Sequence, residues 1–460
     1  MDGFIGRRTR EEREEPDRSS LKKVAAASFI GTALEWYDFF LYGAAAALVF
    51  DKILFSPNLG ETAATLAAFG TFGAGFVARP IGGVVFGHFG DRLGRKNMLI
   101  ISLVMMGVAT TLIGLLPTYA SIGFLAPVLL VVLRLVQGLG VGGEWGGAVL
   151  MSTEYAPKGR RGLFGAFVQM GVPAGLLTST LVLLAVSSSM SDEAFLSYGW
   201  RIPFLLSIVL VAVGLYIRLR ILESPAFEHV KEEGGEAKIP LVETFRNHPK
   251  AILTALGARV GENGLFYLFT VFILEYGESE LGFERTELLV AVIIAASIGL
   301  LTTPFFGALS DRLGRRPVYL FGAVVSLLFS FAYIPMLDTK SIPIIILATI
   351  IGLNLGHDAM YGPQAAFFAE SFGVRSRYTG ASIGYQLAGV FGGGIAPLVA
   401  TALLATGDMG TTYIAFYMAF LCAITVVSVL VATETYQTDI DQDVGQDQIA
   451  RRGEPGTATG

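Results

Sequence analysis

Cysteine occurs once in this chain, at Cys422 in an apolar stretch, so neither a disulfide framework nor a thiolate metal site can be assembled from it. Cys422 reads as packing between helices or toward lipid. Charge is scarce as well: 15% of the 460 residues are Asp, Glu, Lys or Arg, against 53% hydrophobic, with a mean hydropathy of +0.61. Ordinary soluble domains carry more charge and less apolar surface. The net charge of −5 says little about partners, because most of it sits in loops and tails. The balance implies a chain that crosses a membrane many times.

A signal-peptide pattern is lacking too. The charged tail from Arg7 to Lys23 precedes an apolar run over about 24–50 that is too long for a signal core and ends without small-residue cleavage chemistry. Windows of the roughly 20 apolar residues that a bilayer requires fall near 24–50, 62–88, 97–117, 124–149, 162–187, 200–220, 251–275, 287–309, 317–336, 342–366, 378–405 and 411–432. That is twelve spans in an all-α membrane protein. With the N-terminus inside, 26 of the 33 basic residues fall in inward segments, four lie outside (Lys52, Arg201, Arg285 and Lys340) and three are within spans. The bias of Lys and Arg toward the cytoplasm places both termini there. The expected organisation is a tail over 1–23, a six-helix bundle over 24–220, a polar cytoplasmic loop over 221–250, a second six-helix bundle over 251–433 and a disordered acidic tail over 434–460.

One loop is written twice. Gly87-His-Phe-Gly-Asp91-Arg92-Leu-Gly-Arg95-Lys96 returns as Gly307-Ala-Leu-Ser-Asp311-Arg312-Leu-Gly-Arg315-Arg316, 220 residues later. Glu154 and Arg161 after the fourth span match Glu370 and Arg377 after the tenth, at an offset of 216. Repetition at this period is what a duplicated helical bundle leaves behind.

These residues resemble the major facilitator superfamily, through the repeated loop and the helix-four run Arg134-Leu-Val-Gln137-Gly138-x-Gly140-x-Gly142. Four further segments resemble its metabolite:proton symporter branch, which holds shikimate, α-ketoglutarate and proline/betaine carriers. They are Gly31 to Phe39, Gly142 to Gly147, Gly199 to Phe204, and Tyr378 to Gln386. The resemblance, over about 24–433, implies two pseudo-symmetric halves around a central cavity and proton-coupled uptake of a small metabolite. The osmosensing betaine carriers of that branch resemble proteins with a long C-terminal coiled coil, a feature this tail lacks.

Ionisable groups at mid-span cost about 2.5–3.5 kcal/mol each on insertion scales and are functional candidates by default. Glu35, Asp38 and Tyr42 share one face of the first helix. Two close carboxylates repel and favour holding a proton, which makes Asp38 the first choice of proton carrier, with Glu35 beside it. Arg134, with Gln137 one turn on, must face a carboxylate of the protein (Glu35, Asp38 or Glu144) or of the substrate. Arg259 and Glu262 share a face of helix seven, where mutual neutralisation is the favoured reading, and Tyr267 follows. Asn354, His357, Asp358, Tyr361 and Gln364 form a polar stripe on helix ten that suggests a cavity wall. The span charges sum to five carboxylates (Glu35, Asp38, Glu144, Glu262, Asp358) against three guanidiniums (Arg79, Arg134, Arg259), an excess that protonation relieves.

Glycine-rich Gly138 to Gly147 is not a phosphate loop, because no strand precedes it and no Lys-Ser/Thr follows. A His/Asp metal site is rejected for want of other ligands, and no cofactor is expected beyond protons as coupling ion. The repeated loops are expected to gate. Asp91 should latch to helix eleven near Arg377, and Asp311 to helix five near Arg161, with Glu154, Glu370, Arg92, Arg95, Arg312 and Arg315 around them; Arg95 and Arg312 could also serve topology alone. The expected function is proton symport of a small carboxylate-bearing metabolite by alternating access in a prokaryotic inner membrane. A betaine or proline symporter, or an exporter of the same fold, is the alternative. A membrane-embedded enzyme or channel is more remote. The expected partners are a small organic acid or zwitterion and membrane lipid, with no nucleic acid and no obligate protein.

Overall fold

Lipid offers no hydrogen bonds to the backbone, so an apolar chain satisfies its amides within helices. The computed structural model describes residues 18–93, 95–142, 145–154, 156–157, 159–220, 249–372 and 377–437, and no strand occurs among them. Of the polar loop expected over 221–250, residues 221–248 lie outside the described residues, as does the tail beyond 437, and residues 249–250 already belong to a helix.

The helices follow the twelve windows. α1 runs over Arg18–Ala45 and continues through a π-helical turn, Ala46–Phe50. α2 is Glu61–Leu93, α3 Arg95–Gly114, and α4 Leu125–Gly142 resuming at Trp145–Glu154. α5 joins Arg161–Gln169 to Gly171–Ser188, and α6 is Arg201–Arg220, bent by 45° from the short segment Asp192–Gly199 that precedes it. In the second half, α7 runs over Pro249–Tyr267, a π turn at Leu268–Phe272, and Ile273–Ser279. α8 is Arg285–Leu313 and α9 Arg315–Asp338. α10 joins Ile342–Ile350 to Asp358–Glu370 through the π turn Ile351–His357. α11 joins Arg377–Gly389 to Ala396–Leu404 through Val390–Gly394, and α12 is Gly410–Val431.

Nine of these are long and apolar enough to span a bilayer among the described residues, and the bent pair at α6 makes a tenth. α3 has only a short apolar stretch, Ile100–Gly114, and α7 is dense in buried charge, so length and composition alone pass over both. An even number of crossings brings the start of α1 and the end of α12 to one face, called below the termini-bearing face. The π turns of α1 and α7 lie at matching places in the two halves, 222 residues apart, a third trace of the duplication.

Close helix crossings hold the halves. A Cβ on Gly138 or Gly142 of α4 would strike the backbone of α2 at Gly75 and Arg79, so only glycine fits where these helices touch. Between halves, α5 meets α8 at Gly162 and Gly307, whose added Cβ atoms would each meet the other's carbonyl, and α2 meets α11 at Gly73 and Gly394. The apolar core is continuous across the two halves: Phe39 of α1, Phe72 and Phe76 of α2 and Tyr267 of α7 pack with ring centres 4.9–6.1 Å apart.

Candidate functional site

Both ends of the interface between halves are closed. On the termini-bearing face, Asp311 at the end of α8 accepts hydrogen bonds from the Gly162 and Leu163 amides at 2.8 and 2.9 Å. Those amides are the unpaired donors of the first turn of α5, where a carboxylate is favoured by both hydrogen bonding and the helix dipole. Arg315 joins Asp311 at 2.8 Å and Glu370 at 3.0 Å, and Arg161 approaches Glu370 at 3.9 Å. Arg161 thus pairs with Glu370 and not with the Asp311 expected for it. The first residues of the expected disordered tail are docked here: Glu434 accepts from the Arg315 and Arg316 amides at 2.9 and 3.0 Å, and the Thr435 hydroxyl bonds Glu370. Arg312 is exposed and makes no ion pair among the described residues. The side chains of Asp91, Arg92, Arg95, Glu154 and Arg377, expected in the mirror latch, lie outside the described residues, as does Glu144 entirely.

On the opposite face, Lys52 of the first half binds Glu278 of the second at 2.7 Å, and Arg285 of α8 reaches Asp192 beyond α5 at 3.2 Å. These pairs are partly exposed, so each is worth no more than about 1 kcal/mol.

Between the two closures lie three guanidiniums, each at most 1% exposed: Arg79 of α2, Arg134 of α4 and Arg259 of α7. Arg134 donates from Nη1 to Gln137 Oε1 at 2.8 Å, as helical spacing predicts, but its Nε and Nη2 are buried without a hydrogen-bond partner. Arg79 has no ion pair among the described residues, and its Nε and Nη2 are likewise buried and unpartnered. Aromatic faces support both cations. Their guanidinium carbons lie 4.0 and 4.1 Å from the Phe39 ring centre, Arg79 also 4.4 Å from Phe76, and Arg134 4.0 Å from Tyr42. No described carboxylate forms an ion pair with either. Tyr267, whose hydroxyl is buried and unpartnered, lies within the electrostatic reach of all three guanidiniums.

The α1 face divides. Tyr42 donates to Thr71 of α2 at 2.7 Å. Asp38 turns instead into the first bundle, accepting from Ser207 of α6 at 2.5 Å, with Thr110 of α3 beside it. Gln137 donates to the same Thr110 at 2.6 Å, so Thr110 and Gln137 lie between Asp38 and Arg134. Glu35 is buried, 5% exposed.

Arg259 is neutralised as expected, by Glu262 at 3.3 Å, and also donates to Gln364 at 2.6 Å. The helix-ten stripe splits in two. His357 and Gln364 turn to α7, where Gln364 donates to Glu262 at 2.9 Å and to Tyr319 of α9 at 2.8 Å. Asn354 and Asp358 turn to α8, where Asn354 donates to the Ala295 carbonyl and Thr302 to Asp358. Tyr361 stacks on His357 at 4.9 Å. His357 and Asp358 join the two sets at 3.0 Å.

Arg79 was counted among the span charges but given no role, although its place in a span was the same signal that marked Arg134. Tyr385 escaped too. Its ring lies 3.2 Å under the Arg259 guanidinium and stacks on Trp145 of α4 at 3.6 Å, while Gln386 donates to the Gly142 carbonyl at 3.0 Å. These contacts close the termini-bearing side across the two halves.

Chain comparisons agree with this architecture. The family model described as Major Facilitator Superfamily matches residues 28–397 and 280–448. A shikimate transporter of Escherichia coli K12 is 43% identical over 91% of this chain and 97% of its own. A proline/betaine transporter of Salmonella typhimurium LT2 is 33% identical over 91% and 85%. Among solved structures, a proton:xylose symporter bound to 6-bromo-6-deoxy-D-glucose superposes with a TM-score of 0.71 at 19% identity, covering 92% of this chain and 98% of that one; it shares the fold.

Proposed function

The chain belongs to the major facilitator superfamily and is a multi-pass inner-membrane transporter, not an enzyme, and from that premise we propose that it takes up a small carboxylate-bearing metabolite together with a proton. One observation carries the reading. Arg79 and Arg134 are fully buried cations with unpartnered N–H groups and no described carboxylate beside them, and such groups call for an anion. A guanidinium fork accepts a carboxylate in two parallel hydrogen bonds. The shikimate transporter, an acid carrier by its name, is a 43% identical relative.

The arrangement works by alternating access. A site enclosed by the Asp311 and Trp145–Tyr385 contacts on one face and by Lys52–Glu278 on the other can open to either side only by trading one closure for the other. Asp38 holds the coupling proton in this reading. Its link through Thr110 and Gln137 to Arg134 lets a proton on the carboxyl alter how that guanidinium meets the substrate. The surplus of basic residues on the termini-bearing side makes that side cytoplasmic.

A betaine or proline carrier of the same fold is the second reading, favoured by the proline/betaine relatives and by the aromatic cluster, since quaternary ammonium ions bind aromatic faces. Here guanidiniums already lie over the rings of Phe39, Phe76 and Tyr42, which leaves an ammonium ligand facing two like charges. Uptake of radiolabelled shikimate, 2-oxoglutarate and glycine betaine into proteoliposomes separates the two. Accumulation of an acid driven by an inward proton gradient is expected. Accumulation of betaine alone would overturn the proposal.

A further inference from the structure

The second half contains a cluster of titratable groups that the symport reading leaves unused. The His357 ring, 3% exposed, lies between two carboxylates: Nε2 is 2.8 Å from Glu262 Oε1 on α7, and Nδ1 is 3.0 Å from Asp358 Oδ1. Each contact needs a hydrogen between nitrogen and oxygen, and a neutral imidazole supplies only one. The second comes with an added proton, held on the ring or on a carboxyl oxygen facing it, and imidazole is the stronger base of the two. The other carboxyl oxygens are engaged as acceptors: Glu262 Oε2 accepts from Gln364 at 2.9 Å and from Arg259 at 3.3 Å, and Asp358 Oδ2 accepts from Asn354 at 3.0 Å and from Thr302. These bonds favour the ionised carboxylates, which assigns the additional proton to the ring.

Charge counting agrees. Arg259 offsets one of the two carboxylates, and an imidazolium brings this buried group to neutrality. The other packed elements bring no further charge among the described residues: α8 gives the Thr302 hydroxyl, α9 the Tyr319 phenol through Gln364, α7 the Phe266 ring 4.7 Å away and α10 the Tyr361 ring.

We infer that Glu262, His357 and Asp358 form a second proton-binding site, apart from Asp38, whose occupancy is read by the closure on the termini-bearing side through Arg259. When the proton leaves His357 for water, the ring becomes neutral and one carboxylate loses its donor. Arg259 is then the lone countercharge for two carboxylates, one of which is already within 3.3 Å. The guanidinium is drawn toward them and off the Tyr385 ring, which loosens the stack of Tyr385 on Trp145. The link to transport rests on the proton-symport reading; the proton site itself does not.

The test is a 15N-imidazole NMR titration of the full chain in lipid nanodiscs. The chain has four histidines, His88, His229, His248 and His357, and His357→Gln assigns the signal. Both His357 nitrogens should remain protonated at least about one pH unit above the ordinary histidine value of about 6.5, and Asp358→Asn should lower that midpoint by about one unit or more. A neutral single-tautomer His357 at pH 7 in the unaltered protein would overturn the site. In proteoliposomes, His357→Gln should keep substrate exchange and lose proton-driven accumulation about tenfold or more; equal loss of both would overturn the link to the closure. Accumulation by the unaltered protein that ignores the proton gradient would sink the symport reading while leaving the NMR result in force.

Discussion

Arg79 and Arg134 differ from Arg259 in one respect that decides their chemistry: Arg259 has Glu262 at 3.3 Å, and the other two have no described carboxylate. Summing span charges from the sequence gives an excess of carboxylates and conceals where they lie: Glu262 and Asp358 are gathered around Arg259 and His357, and Arg79 and Arg134 have no ion pair among the described residues. Burial and charge could be read from the sequence because insertion energetics flag any mid-span ionisable residue. Who pairs with whom could not, because partners such as Glu262 and His357 are 95 residues apart and meet only through packing. Arg134→Lys keeps the charge but loses the planar fork, and should weaken binding of the transported acid about tenfold, or about 1.4 kcal/mol. Arg79→Gln should do at least as much. Equilibrium binding of labelled acid to the purified variants measures both, and unchanged affinity in the two would remove the guanidiniums from the site.

At the scale of elements, the quoted segments meet one another in space. Trp36-Tyr37 of α1 contacts the α6 segment, with the Tyr37 hydroxyl on the Pro203 carbonyl at 3.0 Å, and the α4 segment meets the α11 segment through Trp145 on Tyr385 and Gln386 on Gly142. The repeated loop revealed where a latch should lie because a carboxylate at the end of one helix can accept from the unpaired first-turn amides of another. Asp311 satisfies it at the start of α5. The break of α6, the π turns and the docking of Glu434 had no sequence signal of comparable strength, since each depends on a neighbouring helix. Asp311→Asn weakens this charged cap by about 0.5–2 kcal/mol, which should shift the balance between closed and open forms by a factor of about 2 to 30. Spin-label distances between the ends of α5 and α8 should lengthen, and uptake should fall with expression intact. Gly162→Leu places a side chain against Gly307, Ser310 and Arg315 and should abolish uptake more completely, as the same distances would report.

For the whole molecule, twelve helices in two related halves enclose Arg79 and Arg134, which have no ion pair among the described residues, and the proposed symport of an acid with a proton is tested at this scale. A protonophore should stop accumulation, and Asp38→Asn should lose concentrative uptake while retaining exchange. The most direct measurement is accumulation of labelled acid in proteoliposomes under an imposed gradient, acidic outside, with the membrane potential clamped. The account predicts that the unaltered protein concentrates the acid, that the effect vanishes when the gradient is collapsed, and that Arg134→Gln abolishes it. Equal accumulation with and without the gradient, or full accumulation by Arg134→Gln, would contradict it.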